Sequence, residues 1–257
     1  MATALITGGT SGIGAAFARA LAARGDDLVL VARDAERLAE MAAELKERYA
    51  VDVEVIPADL GDREDTLRVA ERVGSAEQPV DLLVNNAGFG VHARLTAVDP
   101  APHDYAFDVM CRAVLILAGA AARAMTARGG GAIINVSSTA GFVTMGSYSA
   151  IKAWATSFSE SLAVELTGTG VTVTALCPGY VRTEFHQRAE INAAKIPGPA
   201  WLDADALVAA CLQDVARGRV VSIPSARYKV GIFLARHAPR RAVRAVSRKL
   251  SSGRRSG

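Results

Sequence analysis

The sequence predicts an α/β fold: one doubly wound parallel sheet with helices on both faces. Short apolar runs alternate along the chain with longer segments of helical periodicity. Apolar strands without polar alternation are typical of parallel strands that are covered on both sides. The 257 residues, 51% of them hydrophobic, suit one large core, and no repeat or Pro-, Gly- or Ser-rich linker divides them.

The strands and helices are predicted in alternation. The strands are Ala4–Thr7, Leu28–Val31, Val53–Ile56, Leu82–Val84, Ile133–Val136, Val171–Leu176 and Val220–Pro224. The helices are Gly12–Arg24, a segment capped by Asp34 that ends near Tyr49, Arg63–Val73, Tyr105–Ala127, a segment that carries Tyr148 and ends near Leu166, and one that begins near Asp203.

Composition narrows the class of protein. The scattered cysteines Cys111, Cys177 and Cys211 lack metal-ligand spacing, which predicts a reduced, cytoplasmic protein without disulfides or bound metal. The first residues lead directly into an apolar strand, so we expect no signal peptide. The longest apolar run, Ala113–Ala122, is shorter than the roughly 18 residues that span a bilayer.

The charge is unevenly distributed. The net charge is +3, yet residues 236–257 carry seven arginines, one lysine and no acid. On a helix, Val243, Val246 and Leu250 would share one face, with basic residues around much of the rest. This pattern indicates either contact with an anionic membrane or a helix docked on the body. No aromatic platform or recognition motif accompanies the arginines, so we expect no nucleic-acid binding.

A glycine-rich turn, TGGTSGIG over residues 7–14, joins the first strand to the first helix. Such a turn lets backbone N–H groups approach a pyrophosphate at the positive end of a helix, although it also describes close helix–strand packing. After the second strand, Ala32 occupies the place of the acid that binds the ribose of NAD, and Arg33 offers donors for a 2′-phosphate. The sequence therefore predicts NADP(H), with NAD(H) as the alternative; Arg33 as a solvated charge is the other interpretation.

Two further polar segments follow strands. Asp59 and Leu60 come after the third strand, where they are placed to frame an adenine. Residues 85–88, Asn-Asn-Ala-Gly, follow the fourth strand at the carboxyl edge of the sheet, where ligands bind in such folds. The alternative for this segment is an ordinary asparagine–glycine turn.

Tyr148 and Lys152 are four residues apart, so both side chains share one helical face. A free phenol has a pKa of about 10. An ammonium beside it favours the phenolate and brings the pKa toward the range of a general acid–base catalyst. The pair alone also describes an ordinary surface tyrosine and lysine. Ser138, at the end of the fifth strand, is expected to point to the same crevice.

In this order and at these strand ends, the motifs resemble those of the short-chain dehydrogenase/reductases. The resemblance extends from Ala4 to Pro224 and includes Pro178-Gly179-x-x-x-Thr183. It implies a Rossmann-type sheet of about seven strands and hydride transfer between NAD(P) and a carbonyl or alcohol. It also implies a homodimer or homotetramer formed through the fourth and fifth helices.

The resemblance implies a role for each motif. Tyr148 exchanges a proton with the substrate oxygen, Lys152 holds ribose hydroxyls and lowers the tyrosine pKa, and Ser138 orients the substrate oxygen. Ser137 is the fallback for that last role. The cofactor-binding set that it implies is Gly8, Thr10, Ser11, Gly12, Ile13, Gly14, Arg33, Asp59, Leu60, Asn86, Ala87, Gly88, Tyr148, Lys152, Pro178, Gly179, Val181 and Thr183.

The chain departs from the family pattern at two places. Met110 stands where many members have an asparagine that helps hold a water behind the lysine, and a thioether is only a weak acceptor. Neither Asp108 nor Cys111 is expected to point the same way as Met110 on a helix. The spacing from Ser138 to Tyr148 is shorter than usual, which predicts an unusual shape for the intervening pocket loop.

We expect residues 1–224 to form the nucleotide-binding domain, with a substrate lid at about 184–202, and residues 225–257 to form a basic C-terminal extension. The apolar and aromatic lid favours a hydrophobic substrate, and His186 is expected on its surface. The leading hypothesis is a cytoplasmic NADP(H)-dependent carbonyl reductase or alcohol dehydrogenase, with peripheral membrane association left open. The alternative, supported by Met110, is a catalytically weakened nucleotide-binding regulatory or scaffold protein.

Overall fold

The computed structural model describes residues 2–183, 197–239, 241–245 and 247. The strands are β1 (Thr3–Thr7), β2 (Asp27–Ala32), β3 (Val53–Pro57), β4 (Leu82–Asn85), β5 (Gly131–Val136), β6 (Val171–Leu176), β7 (Tyr180–Val181), β8 (Trp201–Leu202) and β9 (Val221–Ser222). Seven of them form one parallel sheet in the order β3-β2-β1-β4-β5-β6-β9, and β7 pairs with β8. The predicted fold class is confirmed.

Helices cover both faces of this sheet. They are α1 (Gly12–Ala22), α2 (Ala35–Tyr49), α3 (Arg63–Val73), α4 (Ala101–Phe107), α5 (Ala113–Arg128), α6 (Gly146–Glu165), α7 (Ala204–Ala216) and α8 (Ala226–His237). One core joins the sheet to α1, α2 and α7, and the other joins it to α3, α5 and α6. Fully buried side chains such as Phe17 and Leu117 contribute about 1.5–3 kcal/mol each.

The strand order places a crevice at the carboxyl edge of the sheet. The chain leaves β1 toward β2 and β3 on one side, then returns to β4 and continues toward β9 on the other. Connections from β1 and β4 therefore diverge, and the turns that follow these two strands border the gap between them. Ligands bind at such a switch point in open α/β sheets.

The long helical segment Ala101–Arg128 combines α4, a π-helical turn at Asp108–Arg112 and α5. It begins earlier than the predicted Tyr105. By length and composition the segment could cross a membrane, but 61% of its most apolar window is buried inside the protein. Its apolar residues pack in the core beside β4 and β5, so it is a core helix.

The chain after β9 packs on the body. The apolar stretch that follows Pro224 forms α8, and beyond Pro239 the side chains of Val243 and Ser247 are buried. The Oγ of Ser247 accepts a hydrogen bond from the Thr144 amide at 3.1 Å. Val243 therefore supports the docked-helix interpretation of this segment. Val246 and Leu250, like the lid residues Phe185 and His186, lie outside the described residues.

Candidate active site

A cleft of about 1120 Å³ opens at the carboxyl edge of the sheet. It is bordered by the turns after β1 to β6 and by one face of α8. Every residue of the predicted catalytic and cofactor-binding sets lines it except Gly14. The topology thus brings to one place motifs that are widely separated in the sequence.

The glycine turn shapes the nucleotide end of the cleft. Gly8 and Gly12 have φ of +66° and +56°, a left-handed conformation that favours glycine. A Cβ at Gly14 would overlap the carbonyl oxygen of Gly8, so this glycine is needed for close packing of α1 on the turn. With the first turn of α1 beside the cleft, this cradle fits a pyrophosphate.

The side chain of Asn86, which follows the neighbouring strand β4, bonds to the same turn. Its Nδ2 donates to the carbonyls of Thr7 at 2.9 Å and Gly8 at 3.1 Å. The Thr7 hydroxyl oxygen accepts from the backbone amides of Asn86 and Ala87. The amide of Asn86 thus fastens the two turns of the crevice to each other.

Tyr105 connects the two residues predicted at the adenosine end of the cleft. The Nη1 of Arg33 donates to the Tyr105 hydroxyl at 3.0 Å, and that hydroxyl donates to Oδ1 of Asp59 at 2.8 Å. Burial and the hydrogen bond to Asp59 raise the pKa of Tyr105. The ring packs against Gly61 and stacks on Phe89 with centroids 5.4 Å apart. Sequence reasoning missed Tyr105, which belongs to no motif.

Lys152 and Tyr148 lie together at the catalytic end. The Nζ of Lys152 is 5.7 Å from the centroid of the Tyr148 ring and donates to the Val136 carbonyl at 2.8 Å. The lysine is only 6% exposed. Burial lowers its pKa to about 8, because a low-dielectric environment disfavours the ammonium. The side chain is thus a buried cation beside the phenol.

The two adjacent serines point to different partners. The hydroxyl of Ser137 is buried, where it donates to the Lys152 carbonyl at 2.6 Å and contacts the Thr156 hydroxyl at 2.7 Å. Ser138 is half-buried in the cleft wall, and its Oγ accepts from the Ala140 amide at 3.1 Å. The geometry therefore favours Ser138 over Ser137 as the serine available to a ligand.

Two side chains of the π-helical turn lie near Lys152. A Cβ at Gly88 would lie 3.1 Å from the Met110 sulfur and 3.6 Å from the Lys152 Nζ, so these groups are close neighbours. Burial raises the pKa of the Cys111 thiol to about 11, and the charge of Lys152 acts in the opposite direction. Met110 and Cys111 belong to the π-helical turn Asp108–Arg112, where a regular α-helix was expected.

A buried series of hydrogen-bonded side chains lies behind the cleft, between the sheet and α6. Sequence reasoning also missed this network. The Nδ2 of Asn85 donates to Asn135 at 2.9 Å, and the Nδ2 of Asn135 donates to Ser159 at 3.0 Å. The Ser159 hydroxyl in turn donates to the Ala155 carbonyl. These bonds link β4 and β5 to α6, the helix that carries Tyr148 and Lys152. Two asparagines inside apolar strands are the signal that could have revealed it, since buried amides need partners.

The part of the cleft beside α8 is mainly apolar. It is lined by Phe142, Val143, Met145, Pro199, Tyr228, Ile232 and Ala235. The Tyr228 hydroxyl donates to the Ala200 carbonyl at 2.8 Å and accepts from the Tyr180 amide at 3.1 Å. These bonds hold α8 against the β7–β8 pair, so α8 forms a wall of the pocket.

Comparisons with known proteins agree with this arrangement. A family model for short chain dehydrogenases matches residues 2–194. A short-chain dehydrogenase from Sphingobium yanoikuyae, solved in complex with NADPH, is 36% identical, with a TM-score of 0.83 and coverage of 92% of this chain and 94% of that one. The bulky-bulky ketone specific alcohol dehydrogenase from Comamonas testosteroni is 32% identical, with a TM-score of 0.79 and coverage of 94% and 98%.

A curated relative adds to these structures. Galactitol 2-dehydrogenase (L-tagatose-forming) from Cereibacter sphaeroides is 34% identical over 246 residues, which are 91% of this chain and 92% of the relative. The family model spans most of the chain, and the similarity to the relatives extends beyond it. The chain belongs to the short-chain dehydrogenase/reductase family and is an NAD(P)-dependent oxidoreductase that acts on alcohol and carbonyl groups.

Proposed function

We propose that this protein is an NADP(H)-dependent carbonyl reductase or alcohol dehydrogenase for an apolar substrate. The observation that carries the proposal is the convergence of Ser138, Tyr148 and Lys152 between a nucleotide cradle and an apolar pocket. NADP(H), when bound, supplies or accepts the hydride. The protein has to bind the substrate, orient its oxygen and move one proton.

Tyr148 moves this proton at its hydroxyl. In the reducing direction the phenol donates to the substrate oxygen as that oxygen gains negative charge. The buried Lys152 ammonium favours the phenolate that remains. Ser138 donates to the same oxygen and holds it toward the tyrosine. Ser138, Tyr148 and Lys152 all line the cleft, which supports these roles and argues against the catalytically weakened scaffold.

The preference for NADP(H) rests on Arg33. Its guanidinium lies at the end of β2, where Ala32 provides no acid for the ribose. The hydrogen bond to Tyr105 holds the guanidinium at the cleft, where its donors suit a 2′-phosphate. The Sphingobium neighbour, described as a complex with NADPH, agrees with this preference.

The apolar character of the substrate rests on the pocket itself. Among the described residues at that end of the cleft, Arg227 is the one charged side chain, and its Nη1 donates to the Pro199 carbonyl at 2.7 Å. The Comamonas relative is described as specific for bulky-bulky ketones, which suits such a lining, whereas the Cereibacter relative acts on galactitol. We infer a carbonyl or secondary alcohol flanked by apolar groups.

We infer that the enzyme is a cytoplasmic homodimer or homotetramer. Large apolar side chains are exposed on the helices that the family resemblance assigns to the interface: Phe107 at 46%, Leu115 at 51% and Val164 at 75%. Exposed apolar residues on neighbouring helices are typical of a covered surface. The three cysteines are free and buried, as expected in a reducing compartment.

The Tyr148→Phe variant tests the proposed chemistry. General acid–base catalysis contributes about 10²–10⁴-fold, so we expect a comparable loss of kcat in a screen of apolar ketones with NADPH. Cofactor binding, followed by NADPH fluorescence, should stay unchanged. Tyr49→Phe, on α2, is the matched control. Retained turnover in Tyr148→Phe would refute the assignment, and wild-type binding without any turnover would favour the scaffold.

A further inference from the structure

We propose that α8 carries a docking surface for an anionic lipid bilayer. We define this surface as the side chains of Val230, Phe233 and Leu234, together with the exposed basic residues of the same C-terminal segment. Their exposed fractions are 61%, 60% and 61%. At spacings of three and four residues, these side chains project from one face of the helix. An apolar face of this kind on an exposed helix marks an interaction site.

The positive charge of the C-terminal segment favours an anionic partner. Residues 225–257 contain ten basic residues and no acid. Among them, Lys229, Arg241 and Arg244 are exposed in the described part of the chain. A basic helix with an apolar face binds at the boundary between lipid head groups and acyl chains, where it is attracted to anionic lipids. A second copy of the chain would instead bring two strongly basic surfaces together.

The exposed apolar face lies on α8 in the structure, whereas the sequence suggests it on the helix that follows Pro239. The pattern after Pro239 places Val243 on a lipid-facing stripe, but Val243 is only 5% exposed and Ser247 is bonded to Thr144. This downstream segment is therefore fastened to the body. Among the described residues after β9, the large apolar side chains that are exposed are those of Val230, Phe233 and Leu234 on α8.

The opposite face of α8 forms part of the pocket. Tyr228, Gly231, Ile232 and Ala235 line the cleft and share a face of the helix turned away from Val230 and Phe233. Docking through the outer face would therefore hold the apolar end of the cleft near the lipid. This consequence rests on the proposed function: an apolar carbonyl or alcohol dissolved in the bilayer has a short path to the pocket.

Vesicle sedimentation of the full chain tests the proposal. We expect the wild type to sediment with vesicles of phosphatidylcholine mixed with phosphatidylglycerol and much less with phosphatidylcholine alone. Raising NaCl from about 0.05 to 0.5 M should weaken binding, because salt screens charge attraction. The triple variant Val230→Asp, Phe233→Asp, Leu234→Asp should stay in the supernatant. Leu67→Asp, at a 43% exposed apolar residue of α3, is the matched control and should bind as the wild type does.

Other outcomes would overturn the proposal. A wild type that stays in the supernatant would do so, as would a triple variant that sediments like the wild type. A triple variant with a smaller mass by light scattering would assign the surface to a second copy. Reduction of a water-soluble ketone should be equal in both variants and the wild type, because none of the substituted residues lines the cleft. Loss of vesicle binding with retained turnover thus separates this proposal from the proposed function.

Discussion

At the residue scale, the contact between Arg33 and Tyr105 concerns cofactor choice. The Tyr105 hydroxyl is bonded to both the Arg33 guanidinium and the Asp59 carboxylate, so it fixes the position of one relative to the other. An arginine with a restrained guanidinium loses less conformational entropy when it binds a phosphate. If Arg33 binds the 2′-phosphate as proposed, we expect Tyr105 to act as its positioning residue.

Substitution of Arg33 should change cofactor preference. A hydrogen bond to a charged group contributes about 1.5–3 kcal/mol, so Arg33→Ala should raise the Kd for NADPH by about ten- to a hundredfold. The Kd for NADH should change little, because NADH lacks the 2′-phosphate. Fluorescence titration with both cofactors measures this, and Arg63→Ala, at the start of α3, is the control. An equal change for both cofactors would contradict the assignment.

Tyr105→Phe tests the positioning role separately. The ring keeps its packing on Gly61 and its stacking on Phe89, so only the bonds to Arg33 and Asp59 are lost. We expect a smaller loss of NADPH selectivity than in Arg33→Ala, of about threefold to tenfold, because the arginine keeps its contact with the phosphate and only has to be ordered on binding, at about 0.5–1.5 kcal/mol. The double variant should be no less selective than Arg33→Ala alone. Additive effects would show that Tyr105 acts independently of the arginine.

Lys152 makes the stability of the cofactor-free enzyme depend on pH. Its pKa is about 8 in the fold against 10.5 for an unperturbed lysine. Below pH 8 the buried ammonium costs stability. Between pH 8 and 10.5 the unfolded chain holds a proton that the fold has released, so the free energy of unfolding rises with pH.

Lys152→Met should remove this dependence. The stability of the variant relative to the wild type should be greatest at about pH 7 and should decrease as the pH rises from about 8 toward 10.5. Chemical unfolding of both proteins at about pH 7, 8.5 and 10 measures it. The comparison cancels titrations that the two proteins share. A difference that is constant across this range would show that burial of the ammonium is not its cause.

At the scale of the element, the turn between β1 and α1 tolerates little change. A methyl group at Gly14 would overlap the Gly8 carbonyl and crowd the Asn86 amide, so α1 would have to move away from the turn. We expect Gly14→Ala to cost about 1–3 kcal/mol of unfolding free energy and to weaken binding of both cofactors. Urea unfolding and fluorescence titration measure these effects.

Gly119→Ala on α5 is the matched control for this prediction. Its Cβ would meet one neighbouring atom, the Nη1 of Arg123, at 3.5 Å. A glycine inside a helix costs about 0.5–1 kcal/mol relative to alanine, so this variant should be more stable than the wild type. Destabilisation of both variants by the same amount would show that the crowding at Gly14 is not responsible.

The secondary-structure elements also show which features of the fold could be predicted from the sequence. The strand positions and the Asp34 cap are local features, and most predicted strands agree with the structure within one or two residues. The π-helical turn was not predicted, because periodicity treats a long apolar helix as uniformly α-helical. The role of α8 was not predicted either, since contacts such as Tyr228 with Ala200 depend on tertiary packing.

In the site, too, residues within sequence motifs could be predicted, whereas residues brought in by tertiary packing could not. Strand ends bring the glycine turn, Asp59 and Ser138 to one cleft, and Tyr148 reaches it from the first turn of α6. Tyr105 reaches the same cleft from a helix far along the chain, and no sequence spacing connects it to Arg33. Motifs report residues at fixed spacings, whereas supporting partners such as Tyr105 are chosen by which helix packs beside which turn.

At the scale of the whole molecule, the exposed apolar residues on α5 and α6 concern assembly. Burial of Leu115 and Val164 between subunits would remove two large apolar side chains from water. We expect Leu115→Asp combined with Val164→Asp to lower the molar mass measured by light scattering to that of one chain, 26.8 kDa. Leu67→Asp should keep the mass of the wild type. An unchanged mass in the double variant would place the subunit contact elsewhere.

The two large apolar regions of the surface have different electrostatic surroundings. On α6, Val164 lies close in sequence to Glu160 and Glu165, whereas the apolar face of α8 belongs to a segment with ten basic residues and no acid. Self-association and attraction to lipid should therefore respond differently to ionic strength. Salt should release the protein from vesicles while leaving its subunit mass unchanged.

The π-helical turn also changes the direction in which side chains of α4 point relative to those of α5, compared with one continuous α-helix over Ala101–Arg128. An α-helix advances 100° per residue, so the wider turn offsets the phase of α4 from that of α5. Tyr105 lies before this offset, while Leu117 and the core stripe of α5 lie after it. Because the wide turn absorbs one residue, conversion of Asp108–Arg112 to a regular α-helix without a deletion would rotate Tyr105 by about 100° relative to Leu117 and away from Asp59. Loss of one residue from this turn would instead give a regular α-helix that keeps Tyr105 beside Asp59, so the wide turn beside Lys152 and the position of Tyr105 depend on each other.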